Sequence, residues 1–140
     1  MMLSELAKLF KRDRREFDTF RIEVSSYSSL ECQICPRAVF AEKWLFQNMP
    51  LDTYRKISLH FPKVKRVIFQ GWGDPLENEN FPAMFQMAKQ AECLTGLATN
   101  GFYLTPEISR LLVEEKLDFI TFNLEEIPAV HGHAVGSIVS

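Results

Sequence analysis

The stretch RVIFQGWGDPLENENFPAMFQMAKQAECLTGLATNG, residues 66–101, sets the fold class. It opens on an apolar run expected to form a buried strand, Arg66–Gln70. That strand must stop at Gly71-Trp72-Gly73-Asp74-Pro75, which suits neither strand nor helix. A helix is predicted from about Pro82 to Ala91. A second strand, Leu94–Thr99, ends at the turn signal Asn100-Gly101. Strand, helix and strand without a hairpin mean a parallel pair joined by a right-handed crossover.

The same alternation continues outward in both directions. Upstream, Phe20, Ile22 and Val24 alternate with Arg21, Glu23 and Ser25, which predicts a strand over Phe20–Ser25. A loop holding Cys32 and Cys35 follows. Helical segments are then expected over Pro36–Gln47, with Pro36 at the first helical position, and over Asp52–His60, with Asp52 as N-cap. Downstream, Thr105-Pro106 should cap a helix whose apolar stripe is Ile108, Leu111 and Leu112. A fourth strand is expected over Phe119–Leu124, with Thr121, Asn123 and Glu125 on one side and Ile120, Phe122 and Leu124 on the other.

The predicted class is therefore α/β: about four parallel βα units forming a partial, half TIM-type barrel behind an N-terminal helix. Leu3, Leu6, Leu9 and Phe10 recur at helical spacing, so residues 1–17 are expected to be an amphipathic helix, 18–128 a truncated barrel domain and 129–140 an irregular tail. Strand four would be a bare parallel edge, which invites a protein partner or self-association.

Composition narrows the functional classes. With 46% apolar and 24% charged residues and a formal net charge of -2, the chain has no general pull toward nucleic acid or anionic membrane. The basic residues Lys8, Lys11, Arg12, Arg14 and Arg15 interleave with Glu5, Asp13, Glu16 and Asp18, the pattern of a solvated helix face. No apolar run reaches the length of a membrane span, and Glu5 and Lys8 interrupt any signal-peptide pattern, so a cytoplasmic location is expected. The three cysteines, Cys32, Cys35 and Cys93, are an odd count that argues against a disulfide framework.

Loops that follow the strands of a parallel βα sheet open on one face, where ligands bind. The unusual residues fall in those loops: Ser28 to Arg37, Gln70 to Leu76, Thr99-Asn100-Gly101, and the polar tip of strand four. Several readings stay open residue by residue. Cys32-x-x-Cys35 between strand and helix also suits a thioredoxin-like dithiol. A mononuclear zinc site would need two further ligands and no second cysteine pair exists. Trp72 can stack on a ligand or pack on a loop, and Arg37 can reach a carboxylate or lie on a helix surface. Glu23 either faces a polar lumen or pairs with a neighbour such as Arg21. Phe40, Trp44 and Leu45 are expected in the core. His131 and His133 are expected to be incidental tail residues, and Cys93, at the opposite end of strand three, a buried and inert thiol.

Taken together, these segments resemble the radical S-adenosylmethionine (SAM) superfamily over nearly all of residues 20–131. Cys32-Gln-Ile-Cys35-Pro-Arg37 and Gln70-Gly-Trp-Gly-Asp-Pro-Leu76 resemble a maturase subgroup associated with cofactor modification of tungsten-containing aldehyde oxidoreductases. The resemblance implies a [4Fe–4S] cluster and SAM, a 5′-deoxyadenosyl radical used to modify a cofactor or peptide, and an electron donor such as ferredoxin or flavodoxin. The family motif is Cys-x-x-x-Cys-x-x-Cys. Cys32 and Cys35 match its second and third ligands, and Ser28 stands at the first. A serine hydroxyl is a harder and far less acidic ligand than a thiol, so the resemblance implies impaired activity. Ser29 departs from the family's usual Asn. Gly71, Trp72, Gly73, Asp74 and Pro75 resemble the Gly-Gly-Glu-Pro motif, whose backbone carbonyls receive the SAM amino group. Thr99 and Asn100 match the family's strand-three ending, and Asn123 and Glu125 stand at positions near the SAM ribose and carboxylate. Two alternatives accompany this reading: a non-catalytic relic that binds SAM or a partner without a stable cluster, and a small dithiol redox protein.

Overall fold

β1, Phe17–Ile22, is the first strand of the computed structural model, which describes residues 15–29 and 35–123. Then come a one-turn helix α1 (Pro36–Val39), α2 (Leu51–Ser58), β2 (Val64–Phe69), α3 (Phe81–Gln90), β3 (Leu94–Thr99), α4 (Pro106–Glu114) and β4 (Phe119–Phe122), with 3-10 turns at Ala41–Lys43, Phe61–Lys63 and Pro75–Glu77. The four strands form one sheet in the order β1-β2-β3-β4, and every pairing is parallel. This is the half-barrel of βα units expected from the alternating pattern.

Register and alternation sort the side chains. Ile22 lies beside Phe69, Phe69 beside Leu97 and Leu97 beside Ile120, so these residues share the face covered by the helices. The core on that face is aromatic. Phe69 meets Phe81 edge-on at 5.1 Å and Tyr54 in a stacked pair at 6.1 Å, while Tyr54 meets Phe61 edge-on at 5.6 Å. Met84, Phe85, Val67 and Leu97 complete it, all buried, and Val64 joins the same cluster from the start of β2. The opposite face carries Arg21, Arg66, Phe119 and Thr121, all exposed. That exposed face and the exposed β4 define the open side of the half-barrel.

Several local expectations are corrected. β1 starts at Phe17 and ends at Ile22, because the chain beyond it turns to a different neighbour: Met49 N donates to Val24 O (2.8 Å) and Ser26 N to Gln47 O (3.0 Å), an antiparallel contact around Ser25 and Asn48. The same contact shortens the helix expected over Pro36–Gln47. Leu45 and Gln47 carbonyls are claimed by the Ser26 hydroxyl, and the chain leaves helical geometry at Phe40. Phe40 and Leu45 are consequently exposed rather than in the core, and Trp44 is only partly covered. Pro50, not Asp52, is the N-cap of α2; Asp52 sits in its first turn and pairs with Arg55 at 2.7 Å. β2 is Val64–Phe69 and α3 begins at Phe81, each shifted by one or two residues. β3 and the Thr105 cap match the expectation, the Thr105 hydroxyl accepting from Ile108 N at 3.3 Å. Arg15 and Glu16 lead straight into β1 without helical structure. The remainder of the expected N-terminal helix, Leu124 and the tail lie outside the described residues.

Candidate functional site

The loops after β1, β2 and β3 are bound to one another by short hydrogen bonds. Asp74 N donates to Tyr27 O at 2.7 Å, which ties the turn after β2 to the loop after β1. Gly73 makes that approach possible, since a Cβ there would lie 2.2 Å from Ser25 O and 2.5 Å from Tyr27 O. The Asp74 carboxylate is buried and reaches the end of β3. It accepts from Thr99 Oγ1 at 2.7 Å, from Asn100 N at 2.8 Å and from Leu76 N at 2.9 Å. Asn123 N in turn donates to Thr99 O at 2.9 Å, bringing the end of β4 alongside. The predicted positions Gly71, Trp72, Gly73, Asp74, Pro75, Thr99, Asn100 and Asn123 thus occupy one rim.

That rim carries polar groups left over. Asn100 Oδ1 accepts from Phe102 N at 2.8 Å, but the buried Asn100 Nδ2 has no acceptor. A buried donor without a partner costs free energy unless something else supplies the acceptor. Glu23, open in the sequence reading between a lumen and a neighbour, does neither of the two in full. It projects on the uncovered side of β1, and its Oε1 accepts from Trp72 N at 2.6 Å and Gly73 N at 3.2 Å. Trp72 is 55% exposed. Beside the rim, a cavity of about 510 Å³ is lined by Glu23, Ser25, Lys43, Trp44 and Asn48, among others.

The cysteine loop is partly within the described residues. Cys35 is buried at the N-cap of α1, its carbonyl accepting from Ala38 N (2.9 Å) and Val39 N (3.1 Å). Arg37 is also buried, which corrects the helix-surface reading, and its Nη1 reaches back to Ser28 O at 3.4 Å. The guanidinium therefore joins Ser28 to the turn that carries Cys35. Cys32, Glu125, His131 and His133 lie outside the described residues. Among the described residues, no group of three or more His, Cys, Asp or Glu side chains could hold a metal ion.

Two further residues stand out that the sequence reading missed. Asn78 is buried and fully used: Nδ2 donates to Val24 O (2.7 Å) and Met49 O (3.0 Å), and Oδ1 accepts from Asn80 N (2.9 Å). It pins the end of β1 and the 47–49 segment to the turn after β2. Its only signal was an Asn in a polar loop, which does not disclose partners so distant in sequence. At the other end of β3, Asp118 accepts from Thr95 N (2.7 Å) and from Lys89 Nζ (2.9 Å). Burial pushes the Asp118 carboxyl up, but the Thr95 amide and the Lys89 ammonium outweigh it and hold the group below the usual carboxylate range. Cys93 is nearby, buried between the Phe61 and Val64 carbonyls at 3.5 Å each, and burial pushes its thiol up. Its burial is as expected.

A half-barrel of parallel βα units, with its glycine turn and polar strand ends on one rim, defines a class of ligand-binding barrel proteins. The chain belongs to the radical SAM superfamily, whose family model matches residues 22–134. It is 27% identical over 129 residues to the tungsten-containing aldehyde ferredoxin oxidoreductase cofactor-modifying protein of Pyrococcus furiosus, an alignment covering 85% of this chain and 35% of that protein. The chain thus spans about a third of that relative's length. Among solved structures it is similar to BtrN in complex with AdoMet and 2-DOIA, with a TM-score of 0.65 and 21% identity over 76% of this chain and 46% of that one. It is also similar to Streptococcus suis SuiB bound to the precursor peptide SuiA, with a TM-score of 0.57 and 22% identity over 84% of this chain and 26% of that one. Both likenesses speak for the barrel fold. Among the described residues, no helix is long and apolar enough to cross a membrane.

Proposed function

We propose that this chain binds SAM on the rim formed by the turn after β2 and the ends of β3 and β4, and that its cluster loop is deficient. The observation that carries the reading is the Asp74 bridge. One buried carboxylate and its own amide hold the loops after β1, β2 and β3 together and leave Asn100 Nδ2 with an unmet donor beside them. SAM fits this arrangement: its carboxylate and ribose hydroxyls supply acceptors for such a donor, and its ammonium suits backbone carbonyls of the glycine turn.

The iron–sulfur cluster fits less well. Its family donor set is three thiolates, and this chain offers Cys32, Cys35 and the Ser28 hydroxyl. Serine is the wrong donor for a soft iron–sulfide cube and carries a proton at neutral pH. The cluster would therefore be held weakly. When present, such a cluster would supply an electron for radical formation from SAM. Modification of a cofactor or a peptide is the proposed use, with a ferredoxin- or flavodoxin-type donor, by likeness to full-length relatives that this chain covers only in part.

Equilibrium dialysis with labelled SAM tests the reading. Saturable binding by the wild-type chain, weakened by Asn100→Ala, is the expected result. Absence of saturable binding would remove the proposal, and a reversible Cys32–Cys35 disulfide without SAM binding would favour the dithiol alternative.

A further inference from the structure

The most unusual contact on the rim is the one between Glu23 and the glycine turn. A single carboxylate oxygen, Oε1, accepts two successive backbone N–H groups, Trp72 at 2.6 Å and Gly73 at 3.2 Å. The Glu23 stem lies flat against the turn. A Cβ at residue 71 would fall 2.4 Å from Glu23 Cγ and 2.6 Å from its Cβ, so the contact requires glycine there.

Peptide planarity turns this contact into a directional statement. In a trans peptide the N–H and the C=O of one unit point in opposite directions. The units donating to Glu23 are Gly71–Trp72 and Trp72–Gly73. Their carbonyls, Gly71 O and Trp72 O, are therefore aimed away from Glu23. Among the described residues, neither accepts a hydrogen bond. A carboxylate bound to the N–H side also polarises each unit, which strengthens its carbonyl as an acceptor.

We propose that Glu23 is a positioning residue for the SAM amino group: it clamps the Trp72 and Gly73 amides so that the Gly71 and Trp72 carbonyls stand ready as paired acceptors for an ammonium. The inference rests on the SAM reading above and assigns no direct SAM contact to Glu23. The carboxylate acts from behind the turn, through its backbone.

The test compares Glu23→Ala and Glu23→Gln with the wild-type chain, using SAM and 5′-methylthioadenosine, which shares the nucleoside but lacks the amino acid. Glu23→Ala should weaken SAM binding by about tenfold or more, while 5′-methylthioadenosine binding changes by less than about twofold. Glu23→Gln keeps an acceptor for both amides and should lose only about threefold in SAM affinity. Backbone amide exchange gives a readout free of ligand: the Trp72 N–H should be protected in the wild type and in Glu23→Gln, and exposed in Glu23→Ala. Wild-type SAM affinity in Glu23→Ala, or equal losses for both ligands, would overturn the role of Glu23 while leaving the SAM site standing. A wild-type chain that binds no SAM would overturn the SAM reading, and this role with it.

Discussion

β3 is held at both ends by an aspartate, and the two ends are built differently. At the N-terminal end, Asp118 binds the Thr95 amide and hydroxyl and has a cation partner, Lys89, at 2.9 Å. At the C-terminal end, the donors to Asp74 among the described residues are all neutral: the Thr99 hydroxyl and the amides of Asn100 and Leu76. The first cluster is electrically closed and leaves no orphan. The second has, among the described residues, no cation on its carboxylate, a buried amide donor, Asn100 Nδ2, unmet beside it and a second carboxylate, Glu23, bound to the adjoining turn. One end of the sheet is finished as structure; the other is arranged as if a polar ligand were to complete it.

Removing each aspartate is the direct way to break this contrast. Asp74→Ala should cost about 3 kcal/mol in urea unfolding, because three donors at a buried site lose their acceptor at once. A loss under about 1 kcal/mol would mean that the bridge does not hold the rim together. Asp118→Ala should cost less, about 1–2 kcal/mol, since its surroundings are wetter and water can replace it. Its signature is pH dependence. The folded pKa lies below the ordinary value, so the stabilisation is complete above the unfolded carboxyl's pKa, about 3.9, and is lost as the pH falls through the lower folded value. Asp118→Asn should therefore show a shallower loss of stability in acid than the wild type. An unchanged acid profile would break the assignment of Lys89 and Thr95 as its partners.

How much of this was legible in the sequence depends on how far apart the partners lie. β3, the Thr105 cap and the parallel order follow from local pattern, and the rim segments follow from the rule that post-strand loops share a face. The end of β1 and the helix expected over Pro36–Gln47 were misread because Val24 and Ser26 find their partners at Met49, Leu45 and Gln47. Periodicity made Phe40 and Leu45 look like core residues, but a helix that ends at Val39 cannot present them to the sheet. The roles of Glu23, Asn78 and Asp74 join residues 49, 54 and 25 positions apart, and no local signal encodes such pairings. Arg37, open between reaching a carboxylate and lying on a helix surface, is buried with Nη1 on Ser28 O, a partner nine positions away that helical periodicity does not reveal.

In the proposed reading, the serine at position 28 leaves the cluster loop one thiolate short. Iron and sulfide content per chain after anaerobic reconstitution, measured for the wild type and for Ser28→Cys, tests it. The wild type should retain little of either, and Ser28→Cys should approach about four of each, the content of one cubane cluster. A wild-type chain that already holds a full cluster, or a Ser28→Cys chain that gains no iron, would contradict it.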